Sequence, residues 1–133
     1  MITVLCVEDE KDVRELISEE LEDAGIRVLQ AENGKEGLER ILHERPDIVI
    51  SDITMPEMDG LSLLGELQIN HPELTNMPFL FLTALTDRGK MIEGLEAGAE
   101  IYLTKPVDFD VLMAKINGLV VRLENRVAAG LEF

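Results

Sequence analysis

The chain has no tryptophan, one tyrosine and four phenylalanines, so aromatic residues make up only 4% of it. Aromatics this sparse argue against a site that sandwiches a flat ring cofactor. There is one cysteine, Cys6, which excludes an internal disulfide framework and a zinc site built on cysteines. Basic residues are scarce, with 12 Lys plus Arg against 27 Asp plus Glu and a formal net charge of −15. So acidic a surface repels phosphate backbones and anionic lipid heads, and no nucleic acid binding by this segment is expected. The N-terminal run from Ile2 to Val7 is short and lacks a basic leader, so neither a secretory signal nor a membrane span is expected. A reduced, cytoplasmic protein is the expectation that follows.

What remains is ordinary globular material. The 133 residues suit one domain, and 46% hydrophobic with 29% charged residues can fill a core. Short apolar runs alternate with amphipathic stretches. Strands are expected at Ile2 to Val7, Arg27 to Ala31, Ile48 to Asp52, Phe79 to Thr83 and Ile101 to Thr104. Helices are expected between them. The first carries Val13, Leu16, Ile17 and Leu21 and stops at Gly25; the second starts at Asn33-Gly34 and ends before Pro46. The third carries Leu61, Leu64 and Leu67, the fourth runs from Asp87 to Ala97, and the last is capped by Asp108 and carries Leu112 and Ile116. Gly89 and Gly94 weaken the fourth. Cys6 falls mid-strand and reads as a small buried hydrophobe. Strands apolar on both faces, each followed by a helix, predict an α/β doubly wound fold with a parallel sheet.

In such sheets ligands bind beyond the carboxyl ends of the strands. The residues there are Glu8, Asp9 and Glu10 after the first strand, Asp52 at the end of the third, Thr83 at the end of the fourth, and Lys105-Pro106 after the fifth. Crowded carboxylates repel unless a cation joins them, and Mg²⁺ suits oxygen donors while keeping open positions for a phosphoryl oxygen. Asp52 is then a candidate carboxylate nucleophile, with Lys105 and Thr83 placed to neutralise and hydrogen-bond the transferred group.

The set Glu8-Asp9, Asp52-Ile53-Thr54-Met55-Pro56-Glu57-Met58-Asp59-Gly60, Thr83-Ala84 and Tyr102-Leu103-Thr104-Lys105-Pro106 resembles the response-regulator receiver domain of bacterial two-component signalling. The likeness spans Thr3 to about Leu119. It implies a flavodoxin-like (βα)5 sheet of order 2-1-3-4-5; the strand order rests on the resemblance alone, since the residue pattern does not fix it. It implies Asp52 as phosphoacceptor, fed by a histidine kinase or phosphotransfer protein. It implies Mg²⁺, or Mn²⁺, held by Glu8, Asp9, Asp52 and the backbone carbonyl of Thr54. Lys105 would contact the phosphoryl group, with a cis Lys105-Pro106 bond. Thr83 and Tyr102 would form a switch pair that alters the face made by the fourth helix, fifth strand and fifth helix, to control an output domain or protein. The chain would be a signalling domain and not an enzyme, beyond at most self-phosphorylation and self-dephosphorylation. Glu8 stands where the family often has Asp. Thr54 and Leu85 occupy positions that influence phosphoryl lifetime, and neither can act as a base toward water, so a lifetime not among the shortest is expected.

A haloacid-dehalogenase-like phosphatase also uses a strand-end Asp, Mg²⁺, Thr and Lys. It needs a second acid two residues on, where this chain has Thr54. Residues 1–121 read as the receiver domain. Residues 122–133 read as a helical extension, connector or tail, because Met113, Ile116, Val120, Leu123 and Val127 keep a seam-like spacing toward an output domain or a second copy in a homodimer.

Overall fold

The structure, a computed structural model, describes residues 2–74, 76–84, 88–98 and 101–128. Five strands, β1 (Thr3–Val7), β2 (Arg27–Ala31), β3 (Ile48–Asp52), β4 (Phe79–Thr83) and β5 (Ile101–Thr104), alternate with α1 (Lys11–Asp23), α2 (Gly34–Glu44), α3 (Gly60–Asn70), α4 (Arg88–Glu96) and α5 (Phe109–Ala128). The strands form one parallel sheet of order β2-β1-β3-β4-β5, as the resemblance implied. A short 3₁₀ turn at Pro72–Leu74, not foreseen from the sequence, links α3 to β4.

The two-residue period of the strands divides the core in two. On one face Leu5, Val7, Leu29, Val49, Phe79 and Phe81 pack with Ile41 of α2 and Leu63 and Leu67 of α3. On the other, Val4, Cys6, Ile48, Ile50, Leu80 and Leu82 pack with Ile17 and Leu21 of α1 and with Leu112, Ile116 and Leu119 of α5. Burial pushes the Cys6 thiol up to about 12, with Glu8 adding to the effect, so it is a packing residue and not a nucleophile.

Local chemistry ends the helices where the sequence suggests. Asn33 Oδ1 accepts from the Glu36 N–H (2.8 Å), Asp59 Oδ1 from the Ser62 N–H (2.7 Å) and Asp108 Oδ1 from the Asp110 and Val111 N–H groups. Gly25 takes the left-handed conformation after α1 (φ 84°). Arg45 does the same after α2 (φ 50°), immediately before the Pro46 expected to end it.

The expected seam on the last helix is largely spent inside the domain. Met113, Val120 and Leu123 pack against the second core cluster beside buried Ile116. Leu123 is thus partly buried against the domain, and α5 runs unbroken through residue 121. The Val127 side chain and residues 129–133 lie outside the described residues.

Candidate phosphoacceptor site

β3 is buried along its whole length and ends at Asp52, whose side chain is 9% exposed. β1 ends one step before Glu8, which is fully buried, while Asp9 and Glu10 that follow are exposed. The parallel register brings these ends to one edge, with Val7 opposite Ser51 and Asp52 opposite Leu82. From β5 the chain passes through a cis Lys105-Pro106 bond, and the Lys105 N–H donates to the Thr83 carbonyl at 2.7 Å.

The Lys105 ammonium enters the acidic group. Its Nζ lies 2.8 Å from Glu8 Oε1, 2.9 Å from Asp52 Oδ2 and 3.3 Å from Glu10 Oε1. Oxygens of Glu8, Glu10 and Asp52 lie within 4.8 Å of one another. Asp9 is outside that trio among the described residues, although it sits close enough to help raise the Glu8 carboxyl. Glu10 is the oxygen donor not placed in the ligand set from sequence. Its signal was its place as the third acid in a run.

Burial is the main reason the Glu8 carboxyl rises from 4.5 to about 7. Lys105 and the Glu10 N–H oppose the rise, while Asp52 and Asp9 add to it. For Lys105, burial works to lower the ammonium, but its bonds to Glu8 and Asp52 outweigh that and raise it. One lysine does not satisfy this group. Glu8 Oε1 is buried and ion-paired to Nζ at 2.8 Å, with no hydrogen bond from any other described group. Three clustered carboxylates offer more oxygen donors than one ammonium can satisfy, a set that fits a hard divalent cation.

The switch candidates sit on the adjoining edge. Thr83 is buried and its hydroxyl donates to the Ala84 carbonyl (3.2 Å). The Tyr102 ring packs 5.6 Å from Phe81, and its hydroxyl donates to the Lys90 carbonyl on α4 (2.9 Å). Thr54 lies in the loop after Asp52 with its side chain exposed, and Leu85 lies outside the described residues.

Gly94, read from sequence only as a helix weakener, is the buried residue of α4, and a Cβ there would strike the Tyr102 hydroxyl. Gly→Ala in an open helix normally stabilises by about 0.5–1 kcal/mol. Here Gly94→Ala is expected to destabilise by about 1–3 kcal/mol through overpacking. In a Tyr102→Ala background the sign should reverse. Urea unfolding of the four-member cycle measures this, and a stabilising Gly94→Ala in the parent would refute the slot.

A doubly wound sheet whose switch-point edge carries buried carboxylates bridged by a lysine on a cis-proline loop is the architecture of a phosphoacceptor signalling module. The chain belongs to the response regulator receiver domain family, whose model matches residues 4–117. It is 36% identical over 129 residues to the response regulator MprA of Mycolicibacterium vanbaalenii, covering 97% of this chain and 54% of that one. It is 38% identical over 132 residues to the response regulator Rre1 of Synechocystis, covering 98% and 57%. The chain thus spans little more than half the length of these curated relatives. Among solved structures it resembles the receiver domain of the Francisella response regulator 1452 (TM-score 0.84, 36% identity, 92% and 99% coverage). It also resembles the chemotaxis protein CheY4 of Vibrio cholerae (TM-score 0.82, 33% identity, 90% and 98% coverage). Members are signalling domains rather than catalysts, and nothing in these likenesses supports the dehalogenase-like alternative. Among the described residues no helix is long and apolar enough to cross a membrane.

Proposed function

We propose that Asp52 is the phosphoacceptor of a cytoplasmic two-component relay. The observation that carries the reading is a buried carboxylate at the exit of the central strand, 2.9 Å from Lys105 Nζ and within 4.8 Å of two further carboxylates. Glu8, Asp9, Asp52 and the Thr54 carbonyl would hold Mg²⁺ or Mn²⁺, with Glu10 close by. When bound, the ion supplies charge neutralisation and orients a phosphoryl oxygen. An Asp52 oxygen attacks the phosphorus of a phosphohistidine on a kinase or phosphotransfer protein. The O–P bond forms as the N–P bond breaks, and the electron pair leaves with the imidazole nitrogen. Lys105 then balances charge on the phosphoryl group. The Thr83 hydroxyl turns from the Ala84 carbonyl toward it, and the Tyr102 latch on α4 reads that change. Self-phosphorylation from small donors and slow self-dephosphorylation use the same groups.

The donor docks where α1 meets the loop after β5. A groove of about 460 Å³ lined by Val13, Leu16, Val107 and Phe109 opens there beside Glu10 and Lys105. Output runs through the face of α4, β5 and α5, where Ile92 and Leu95 are exposed, to a partner, a further domain or a second copy. Residues 122–133 act as the connector. Incubation with a small phosphodonor and Mg²⁺ should add one phosphoryl group by intact mass, and Asp52→Asn should abolish the gain. An undiminished gain in Asp52→Asn overturns the assignment.

A further inference from the structure

Glu8 is fixed at nearly every polar atom it owns. Its N–H donates to the Ala31 carbonyl (3.0 Å). Its carboxylate Oε2 accepts from the Glu10 N–H (3.1 Å). Its backbone carbonyl accepts from Arg14 Nη1 (2.8 Å). The remaining atom, Oε1, is held by the ion pair to Lys105 Nζ (2.8 Å).

Arg14 is the one of these partners that comes from another element and carries a charge. It sits in the first turn of α1, and its Nε reaches across to Gln30 Oε1 on β2 (3.2 Å). Its own carbonyl is engaged by the Ser18 hydroxyl (2.7 Å). A planar guanidinium gripping two acceptors fixes direction as well as distance. The peptide plane after Glu8, and with it the path of the chain into Asp9 and Glu10, is tied to α1 and β2 together. The charge on Arg14 works against a cation at the neighbouring carboxylates. Any benefit Arg14 brings to cation binding must therefore come from orientation.

We infer that Arg14 is a positioning residue, whose fork to the Glu8 carbonyl and Gln30 holds the Glu8 carboxylate in the attitude a divalent cation needs. The inference rests on the reading of this pocket as a cation-assisted phosphoacceptor site. Outer partners of metal ligands commonly contribute about 10–100-fold in affinity.

The test titrates Mg²⁺ alone into the full chain by calorimetry and measures urea stability alongside. Arg14→Met keeps the apolar stem and removes the fork; its Mg²⁺ affinity should fall about tenfold or more. Arg14→Lys retains one donor and should recover part of the loss. Gln30→Leu frees the far anchor and should give a smaller loss, and it carries the test with Arg14→Lys if Arg14→Met does not fold. Tighter Mg²⁺ binding by Arg14→Met would show a purely electrostatic role and overturn the inference. So would a loss of urea stability with unchanged Mg²⁺ affinity, which is what a merely structural residue gives. A parent that takes up no Mg²⁺ at all overturns the reading of the pocket itself, and this inference with it.

Discussion

Lys105→Met is expected to destabilise the fold by about 3 kcal/mol at about pH 8 without divalent cation, and by much less near pH 5. Lys105 is the cation that contacts all three clustered carboxylates, and one of them, Glu8, is fully buried. Removing one partner of a buried pair leaves the other charged and unpaired, which typically costs about 3–5 kcal/mol. The lower end applies because the Lys105 side chain is 20% exposed. The pH dependence follows from Glu8. Its carboxyl is raised, mainly by burial, from 4.5 to about 7, so the folded state binds this proton more tightly than the unfolded chain does. A group raised in this way favours the fold most below 4.5, and that contribution is lost as pH climbs toward about 7. Without Lys105 the carboxyl rises further and the losing window extends upward. Urea unfolding of both proteins at the two pH values, with and without Mg²⁺, measures the effect. A loss of equal size at both pH values, untouched by Mg²⁺, would contradict it.

Gly60→Ala is expected to be comparably damaging, at about 3 kcal/mol, for a purely steric reason. Gly60 opens α3 directly beneath the acceptor strand, and its N–H donates to the Ile53 carbonyl (2.8 Å). A Cβ there would press on the Asp52 carbonyl and come within 2.7 Å of the Phe81 ring and 3.1 Å of Ser51 Oγ. The carbonyl is backbone and is already hydrogen-bonded by Ser51 Oγ at 2.8 Å, so it cannot yield cheaply. The acceptor must move with it. Displacement of a reacting group by about 1 Å can cost about 100-fold in rate. Phosphorylation by a small donor should therefore slow even at temperatures where the variant stays folded. Urea unfolding checks the stability and intact-mass time courses check the rate; a variant that matches the parent in both would show that the loop accommodates the methyl.

The sheet was legible because the strands are short, mostly apolar runs separated by Gly, Pro, Asn or Asp, and their core residues split by parity onto the two faces. The acidic edge was legible because strand ends in a parallel sheet share one side, so Glu8, Asp52 and Lys105 could be placed together without knowing any distance. What stayed hidden depends on contacts between distant segments. The place of Glu10 in the oxygen trio depends on where the Lys105 ammonium lands. The work of Arg14 depends on Gln30, a residue on a different strand. Gly94 carries a helix penalty in any local reading; its value appears only when Tyr102 is laid beside it. Leu123 looked like surplus to the domain because nothing local says that α5 stays against the core that far.

That last contact governs how α5 leaves the body. A helix of 20 residues spans about 30 Å, and the packing of Leu123 against the second core cluster sets its heading well past its midpoint. It is a lever with a fixed bearing rather than a tether, so a tilt of α5 at its root would be carried undiminished to its tip.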